Sequence, residues 1–449
     1  MPKARGTNGK SVTDFVREWR TQGIRNVIFE LPDMHGTSRS KIIPLNHVES
    51  YAKKGLNMYG GTVVLDTASS VVPSTLYNEE VNYADQYLKP DLDTAMVLPW
   101  ADSTARFICD GYWEDGKPQM AAPRLMLKHL LAAVDKLGYS TTVGLEYEFY
   151  VLDPETAEPT FGGLHIFNSI RNTYVPVIED ILEQMPKAGV DIITANAEYA
   201  PSQFEINFAP AGGLAAADQA FTFKNGVKAI ALQHGYNATF MTKPFPDDAA
   251  SGCHIHISLQ DKKTGKNLFL DTKDKDGLSK LCRSFTQGML DHTPASMALL
   301  APTINCYARF VPHHFAPSNV SWGVQDRTAA IRAKNSRDEN THLENRLGTG
   351  LANPYLAVAG VLAAGLLGLK KGVPAKTPAK GGPSEEQSGY KRLPLTLDAA
   401  LEALQADKEY RALLGDEFVT AYTVMRQYEL ARFRAHITDW EKSEYLEIY

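Results

Sequence analysis

Two glutamates stand two residues apart in the segment Gly144–Phe149, which reads Gly-Leu-Glu-Tyr-Glu-Phe. The alternation of apolar and polar residues predicts a strand over Thr141–Leu152, so Glu146 and Glu148 share one face and lie roughly 7 Å apart. Two carboxylates on one buried face repel each other and are costly to remove from water. The pair predicts a bound cation, although the pattern alone also fits an exposed polar strand face.

The same alternation recurs in four further segments of the chain. Each predicts a strand with one apolar face and one polar face, and the polar face carries side chains that could bind ligands or take part in catalysis. Such strands indicate one largely antiparallel sheet, with helices behind it and a site in front of it. The four polar fronts carry Gln203, Glu205 and Asn207; His254, His256 and Ser258; Asn305, Tyr307 and Arg309; and His342, Glu344 and Arg346.

The acidic residues among these candidates outnumber the histidines. An oxygen-rich ligand set with little nitrogen and no thiolate suits Mg²⁺ or Mn²⁺ better than Zn²⁺. One divalent ion would leave too much unpaired charge, so the set predicts two or three ions. The carboxylates are Glu146, Glu148, Glu198, Glu205 and Glu344, and the imidazole is His254.

Four arginines accompany the carboxylates: Arg309, Arg327, Arg332 and Arg346. The planar guanidinium binds phosphate and carboxylate groups in bidentate fashion. Metal ions together with several arginines are typical of phosphoryl transfer from a nucleotide. The alternative for each arginine is a surface salt bridge.

The bulk composition is that of a soluble globular protein. The chain has 449 residues, a net charge of -6 and 44% hydrophobic residues, which gives no argument for nucleic acid or membrane binding. The four cysteines form no CxxC pair and no secretory signal precedes them, so a reducing cytoplasm is expected. The apolar run Tyr355–Leu369 is too short to span a bilayer and predicts a buried helix.

The order of predicted elements indicates an α+β chain in two parts. A small unit of helix and strands occupies residues 1–112, and the turn-rich segment 113–118 separates it from a larger unit over residues 113–449. The sequence has no GxxxxGK[ST] loop and no GxGxxG after a predicted strand, so a nucleotide is bound in another way.

The motifs occur in the order found in the glutamine synthetase superfamily, which the chain resembles from the turn Asp33-x-x-Gly36-x-x-Arg39 to its last predicted helix. The shared motifs are Gly144-x-Glu146-x-Glu148-Phe149, Gln203-x-Glu205, Thr239–Pro244, Ser251–Ser258, Asn305–Arg309, Arg327-x-x-x-x-Arg332, Glu344-x-Arg346 and Asn353–Leu356. The resemblance implies a small N-terminal β-grasp-like domain and a large catalytic domain with a mainly antiparallel curved sheet backed by helices. It also implies a homo-oligomer, usually a dodecamer of two stacked hexameric rings with active sites between subunits.

The resemblance assigns roles to the candidate residues. It implies ATP as co-substrate and two to three Mg²⁺ or Mn²⁺ ions per site. One ion near the acceptor substrate would be held by Glu148, Glu198 and Glu205, and one on the nucleotide phosphates by Glu146, His254 and Glu344. By the same resemblance His256, Ser258 and Arg332 contact ATP, Arg327 and Arg332 stabilise the transferred phosphate, and Arg309 and Arg346 bind glutamate.

Two departures from the family pattern concern the residues that bind the amine substrate. Glutamine synthetases read Val-Pro-Gly-Tyr-Glu-Ala-Pro where this chain has Val311–Pro317, so Phe315 replaces a glutamate that helps to deprotonate ammonium. Gly60 stands at the position of an ammonium-binding aspartate. A site for ammonium needs negative charge, whereas an amine that carries carbon needs volume and apolar contact. We therefore expect a larger amine, with Trp322 lining the same pocket.

Two more departures concern the acid and the phosphates. Ala250 follows Ala249 where the family often has Asn-Gly around the amino group of the substrate, so the acid is glutamate or a related acid. His342 stands where many members have an arginine that faces phosphate.

The leading hypothesis is an ATP-dependent γ-glutamylamide synthetase, a branch that includes γ-glutamylmethylamide synthetase. It would join glutamate to a small alkylamine or an arylamine through γ-glutamyl phosphate, with Phe315 excluding water from this intermediate. The alternatives are an ordinary glutamine synthetase, a non-catalytic structural or regulatory relative, and a zinc hydrolase built on His254 and His256.

Overall fold

Two β-sheets and the helices packed on them make up the described part of the chain. The computed structural model of the protein describes residues 9–162, 166–311, 316–376, 378–379 and 389–449. The helices are α1 (Val12–Thr21), α2 (Val48–Lys54), α3 (Pro123–Lys136), α4 (Ser169–Thr173), α5 (Pro176–Lys187), α6 (Gly213–Gln233), α7 (Lys280–Asp291), α8 (Thr293–Leu300), α9 (Pro354–Lys371), α10 (Leu397–Ala406), α11 (Lys408–Leu414), α12 (Asp416–Arg434) and α13 (Asp439–Tyr445). The strands are β1 (Asn26–Pro32), β2 (Ser38–Pro44), β3 (Leu56–Tyr59), β4 (Asp85–Pro90), β5 (Met96–Val97), β6 (Thr104–Tyr112), β7 (Tyr139–Leu152), β8 (Ile192–Ala197), β9 (Gln203–Phe208), β10 (Asn237–Thr239), β11 (Cys253–Asp261), β12 (Trp322–Val324), β13 (Ile331–Lys334) and β14 (His342–Asn345).

The first sheet belongs to the N-terminal part of the chain. Its order is β2-β1-β6-β4-β3, with β5 also paired to β6, and β1 runs parallel to β6. Helix α1 begins at Ser11, whose hydroxyl accepts a hydrogen bond from the Asp14 amide and forms a capping box. Its apolar face packs Trp19 against Phe107 of β6, with ring centroids 5.1 Å apart. The division of the chain at residue 112 stays a prediction.

The second sheet carries the candidate site. Its order is β12-β13-β14-β11-β7-β9-β8, with β10 on β7, and all its pairs are antiparallel except β12 with β13. The register places chemically capable residues side by side on one face. The opposed pairs are Glu146 with His254, Glu148 with Glu205, His256 with Glu344, and Arg332 with Glu344. The predicted α+β class and the mainly antiparallel sheet are confirmed.

Helix α9 lies behind this sheet in the protein interior. Pro354–Lys371 is long and apolar enough to cross a membrane, but 83% of this stretch is buried within the protein. The Asn353 side chain accepts hydrogen bonds from the first turn of α9, while its amide donates to Asp33 O, 2.9 Å away, in the N-terminal part. The prediction of a buried helix is confirmed.

One predicted strand is wrong. Ile304–Arg309 forms a 3₁₀ helix, so Asn305, Tyr307 and Arg309 do not lie along one strand face. The Asn305 side chain accepts from the amide of Lys243 and donates to its carbonyl, both at 2.9 Å. These two bonds fix the segment to a loop instead of a strand ladder, and three alternating residues are too few to distinguish the two cases.

A buried ionic network joins the first sheet to the helices of the second part. Arg124 on α3 donates two hydrogen bonds of 2.8 Å to Asp218 on α6, one of 3.0 Å to Asp110 on β6 and one of 2.9 Å to Asp91. Lys128 also contacts Asp91 and Asp110. The Arg124 side chain is 2% exposed, so the network replaces water as the partner of its charge.

Candidate active site

Three carboxylates gather at the β7–β9 end of the polar face. Glu148 accepts from the Gly252 amide at 2.8 Å, and Glu205 accepts from the Asn207 side chain at 2.9 Å. Burial and the charge of Glu148 raise the pKa of Glu198 to about 8 and the pKa of Glu205 to about 7. Carboxylates with raised pKa values favour a bound cation, so this group fits the predicted metal site.

A second group lies beside it, toward β14. His254 Nδ1 lies 3.3 Å from Glu146 and 3.7 Å from Glu344, and His256 Nε2 lies 3.0 Å from Glu146. Burial alone would raise the pKa of Glu344, but His254, His256 and Arg346 hold it at about 2. Charged partners likewise hold the pKa of Glu146 well below its usual range against the effect of burial.

The second group also fits a metal ion. One ligand atom each from Glu146, His256 and Glu344 lies within 4.8 Å of the others. The buried Nε2 atom of His254 makes no hydrogen bond with any described residue. The two carboxylates suit Mg²⁺ or Mn²⁺, whereas imidazole nitrogen is the more usual ligand of Zn²⁺ and other transition metals. The structure brings the predicted ligand His254 to this point and adds His256 to it.

Three of the four predicted arginines reach the same region. Arg332 donates to Glu344 at 3.0 Å, and Arg346 donates to the other oxygen of that carboxylate. Arg309 is buried and donates to Arg346 O at 3.2 Å. Burial lowers its pKa to about 10, an effect that Glu148 opposes. Arg327 lies exposed in the turn after β12.

Two further predicted residues, Ser258 and Ala250, lie close to the polar face. Ser258 is buried on the same face of β11 as His254 and His256 and accepts from Gln260 at 2.8 Å. Ala250 accepts through its carbonyl from Gln203 at 3.3 Å, close to the carboxylates.

The role of Trp322 in an amine pocket stays a prediction, but its side chain does not share the face of the sheet that carries Arg332. Its strand pairs Trp322 with Ile331 and Gly323 with Arg332, so the indole lies on the face opposite Arg332. There it is 3% exposed, donates to Lys376 O and lies under the Arg283 guanidinium. Phe315 lies outside the described residues.

Gly60 is buried and has no space for a side chain. A Cβ at this position would lie 2.7 Å from Ala84 O and 2.7 Å from the Trp113 ring. Its carbonyl accepts from Gln119 at 2.6 Å. A side chain at position 60 would therefore meet the Ala84 carbonyl and the Trp113 indole.

Sequence reasoning missed a buried lysine beneath the site. Lys224 on α6 donates to Gly350 O at 2.8 Å and Ala352 O at 3.1 Å, and burial lowers its pKa to about 7. Gly350 in turn donates to Ser251 O, next to the Gly252 amide that contacts Glu148. A lysine on an otherwise apolar helix face is the signal that could have found it.

The family model described as glutamine synthetase, catalytic domain, matches residues 120–445. The chain belongs to the glutamine synthetase family. Its members are ATP-dependent ligases that form carbon–nitrogen bonds and use Mg²⁺ or Mn²⁺, so the protein is an enzyme of this class.

Relatives of more than one specificity resemble the chain. It is 35% identical over 442 residues to glutamine synthetase of Thermotoga maritima, covering 95% of this chain and 97% of the relative. It is 34% identical over 434 residues to gamma-glutamylethanolamide synthetase GlnA4 of Streptomyces coelicolor, covering 93% and 92%. The solved structure of GmaS in complex with ADP matches with a TM-score of 0.86 and 30% identity, covering 97% and 100%.

The metal-free protein is expected to lose stability as the pH rises from about 5 to about 8. Over this range folded Glu198 and Glu205 keep protons that the unfolded chain releases near a pKa of about 4.3, so the folded state binds more protons and stability falls with pH. If Mg²⁺ binds between these carboxylates it offsets their mutual repulsion, so its stabilising effect should be larger at pH 8 than at pH 6. Thermal unfolding at both pH values, with Mg²⁺ or with EDTA, measures the difference.

The matched control is the double variant Glu198→Gln/Glu205→Gln, which keeps the shape of both side chains without their charges. Its metal-free form should be less sensitive to pH, and Mg²⁺ should stabilise it less. Equal stabilisation of the variant and the natural protein by Mg²⁺ would contradict the assignment of these two glutamates.

Proposed function

We propose that the protein is an ATP-dependent γ-glutamylamide synthetase that joins the γ-carboxylate of glutamate to an organic amine. The observation that carries the proposal is the combination of a full set of metal-ligand candidates with Phe315 and Gly60 at the positions of the ammonium-binding acids. The site keeps what phosphoryl transfer needs and lacks the negative charge that attracts ammonium. The likeness to GmaS and to a gamma-glutamylethanolamide synthetase supports the same reading.

The reaction would proceed in two steps, a phosphoryl transfer followed by an acyl transfer. An oxygen of the γ-carboxylate attacks the terminal phosphorus of ATP, the bond to ADP breaks, and γ-glutamyl phosphate forms. The amine nitrogen then attacks the acyl carbon, the carbon–oxygen bond to phosphate breaks, and the nitrogen loses a proton. An arylamine would arrive neutral, whereas an alkylamine must first be deprotonated.

The side chains of the polar face would serve these steps by charge and position. Arg309 and Arg346 bind the carboxylates of glutamate, and Arg332, with Arg327, stabilises the negative charge of the transferred phosphoryl group. Two to three Mg²⁺ or Mn²⁺ ions would neutralise the phosphates when bound. Glu148, Glu198 and Glu205 would hold one, and Glu146, His254 and Glu344 another. His256 and Ser258 contact the nucleotide.

The proposed assembly is a dodecamer of two stacked hexameric rings. In that arrangement the segment around Gly60 faces the active site of a neighbouring subunit. Trp113, which covers Gly60, would then form part of an apolar wall of the amine pocket together with Phe315.

The test is phosphate release from ATP by the purified protein with glutamate and Mg²⁺ or Mn²⁺. Ammonium, methylamine, ethylamine, isopropylamine, aniline, ethanolamine and putrescine are compared, and mass spectrometry identifies the product. We expect one organic amine to exceed ammonium in kcat/KM. Preference for ammonium would make the protein a glutamine synthetase, and no turnover with any amine would favour another acid or a non-catalytic role.

The variant Phe315→Glu tests the residue that carries the argument. Restoring the carboxylate should lower the ratio of kcat/KM for the organic amine to that for ammonium by roughly 10-fold or more, an effect of the size that pocket contacts exert on specificity. The control is Phe433→Glu, which changes an exposed phenylalanine on α12. If Phe315→Glu leaves the ratio of the two kcat/KM values unchanged, Phe315 does not contribute to amine specificity.

A further inference from the structure

The buried ammonium group of Lys224 lies behind the second sheet, where the proposed reaction gives it no task. Its Nζ lies 4.9 Å from the centroid of the Tyr147 ring and 5.1 Å from that of the Phe240 ring. It donates to Gly350 O at 2.8 Å and to Ala352 O at 3.1 Å. The Tyr147 hydroxyl donates to the same Ala352 carbonyl at 3.2 Å. Two side chains therefore hold one backbone segment, residues 348–352, from behind the sheet.

A lysine is a costly choice for this position. Burial lowers the pKa of Lys224 to about 7, because the charged form loses its contact with water. Apolar residues of similar volume often replace buried charged groups without loss of stability. Packing alone therefore does not account for a lysine here, whereas its two hydrogen bonds to backbone carbonyls do.

The 348–352 segment is bonded in turn to the loop that precedes β11. The Gly350 amide donates to Ser251 O at 3.0 Å. A Cβ added at Gly350 would lie 2.5 Å from Phe240 O and 3.2 Å from Ser251 Cβ, so the segment is packed closely between these two residues. Because of this packing and the hydrogen bond, a shift of Gly350 would displace Ser251.

Ser251 adjoins backbone that contacts two candidate site residues. The Gly252 amide donates to Glu148 at 2.8 Å, and a Cβ added at Gly252 would lie 2.8 Å from Arg309 Nη2. Gly252 therefore lies against the arginine that the proposed function assigns to glutamate. The preceding Ala250 stands where the family often has a residue near the amino group of the acid.

We propose that Lys224 is a positioning residue for the acid substrate. Through the 348–352 segment it fixes Gly252 against Arg309, although its own side chain lies behind the sheet. Loss of the ammonium group should therefore weaken binding of the acid and spare the nucleotide, whose proposed contacts lie toward β14. The inference rests on the proposed function, because glutamate is the acid named there, but it does not depend on the identity of the amine.

The test is calorimetric titration of the full-length protein without turnover. Glutamate is titrated in the presence of Mg²⁺ and a non-hydrolysable ATP analogue, and the analogue is titrated separately. We expect Lys224→Met to raise Kd for glutamate roughly 10-fold or more, since a displacement of about 1 Å in an active site can cost ~10²-fold in rate. Kd for the analogue should change by no more than about twofold, the size of effect expected away from a contact.

Two further variants accompany Lys224→Met. Tyr147→Phe removes only the second donor to the Ala352 carbonyl and should raise Kd for glutamate by a smaller factor. Lys228→Met makes the same substitution one turn later in α6, at an exposed position, and should leave both Kd values unchanged. Thermal unfolding verifies that each variant folds.

Hydrogen exchange followed by mass spectrometry tests the backbone segment itself. Lys224→Met should speed exchange in peptides that cover residues 348–352 and 249–253, because the first segment loses two donors and the second depends on it. Lys228→Met should not change exchange in either peptide.

A folded Lys224→Met variant that binds glutamate as the natural protein does would overturn the inference. Equal losses for glutamate and the ATP analogue would also overturn it, since they would show a general structural role. If Lys224→Met does not fold, Tyr147→Phe decides by the same two criteria. Absence of glutamate binding by the natural protein would refute the acid of the proposed function, and unchanged exchange in Lys224→Met would then overturn the role of Lys224 separately.

Discussion

Replacing Glu344 with glutamine is expected to lower kcat/KM of the complete reaction by roughly 10²- to 10³-fold, the size of effect found when one preorganised electrostatic partner is removed from an active site. Glu344 is 1% exposed and accepts from Arg332 and Arg346 on its two oxygens. The same carboxylate lies beside His254. Glutamine keeps the shape but not the charge, so both arginines lose their anion and the proposed cation would lose a charged ligand.

The measurement is steady-state phosphate release with saturating amine, combined with Mn²⁺ titration. Both kcat and metal affinity should fall, because the charge serves the arginines and the ion together. Glu402→Gln, on an exposed position of α10, should leave both unchanged. Activity of Glu344→Gln within about threefold of the natural protein would show that Glu344 is not central to the site.

Replacing Arg124 with methionine is expected to destabilise the protein by about 3–5 kcal/mol, the usual consequence of removing one partner from a buried ionic network. Methionine fills much of the same volume but leaves Asp91 and Asp110 with Lys128 as the remaining cation, whereas Asp218 keeps a hydrogen bond from the Tyr355 hydroxyl. The network joins the first sheet to α3 and α6, so the loss should affect the whole molecule. Urea unfolding followed by circular dichroism and tryptophan fluorescence measures the change.

Two further variants separate charge from packing. Lys128→Met, at a side chain that is 31% exposed, should cost much less than Arg124→Met. Adding Asp218→Asn to Arg124→Met removes one unpaired carboxylate and should recover part of the lost stability. Additive losses in the double variant would contradict the coupling between these two residues.

The alternation of apolar and polar residues predicted most strands of the second sheet. It does so because the apolar face of each strand must be covered by helices, which leaves the polar face on the other side. Glu146 and Glu148 lie on one face of β7, and His254, His256 and Ser258 lie on one face of β11, as alternation requires. The pairing between these strands was not contained in the pattern, since alternation does not specify register or neighbours. The meeting of His256 with Glu344 follows from that register.

The errors have the same origin in long-range contacts. Trp322 faces away from Arg332 because the register pairs it with Ile331 and pairs Gly323 with Arg332, a relation that no local signal reveals. The 3₁₀ helix at Ile304–Arg309 depends on the contact of Asn305 with Lys243, 62 positions away in the chain. Gly60 was interpreted as open space because the sequence does not show that Trp113 lies against it.

The packing at Gly60 couples this position to its neighbours. A side chain introduced there would collide with both the Ala84 carbonyl and the Trp113 ring, at 2.7 Å from each. A single change from glycine to aspartate therefore requires the Ala84 backbone and the Trp113 ring to move. The residue at position 60 and these two neighbours depend on one another, so position 60 is best varied together with Trp113.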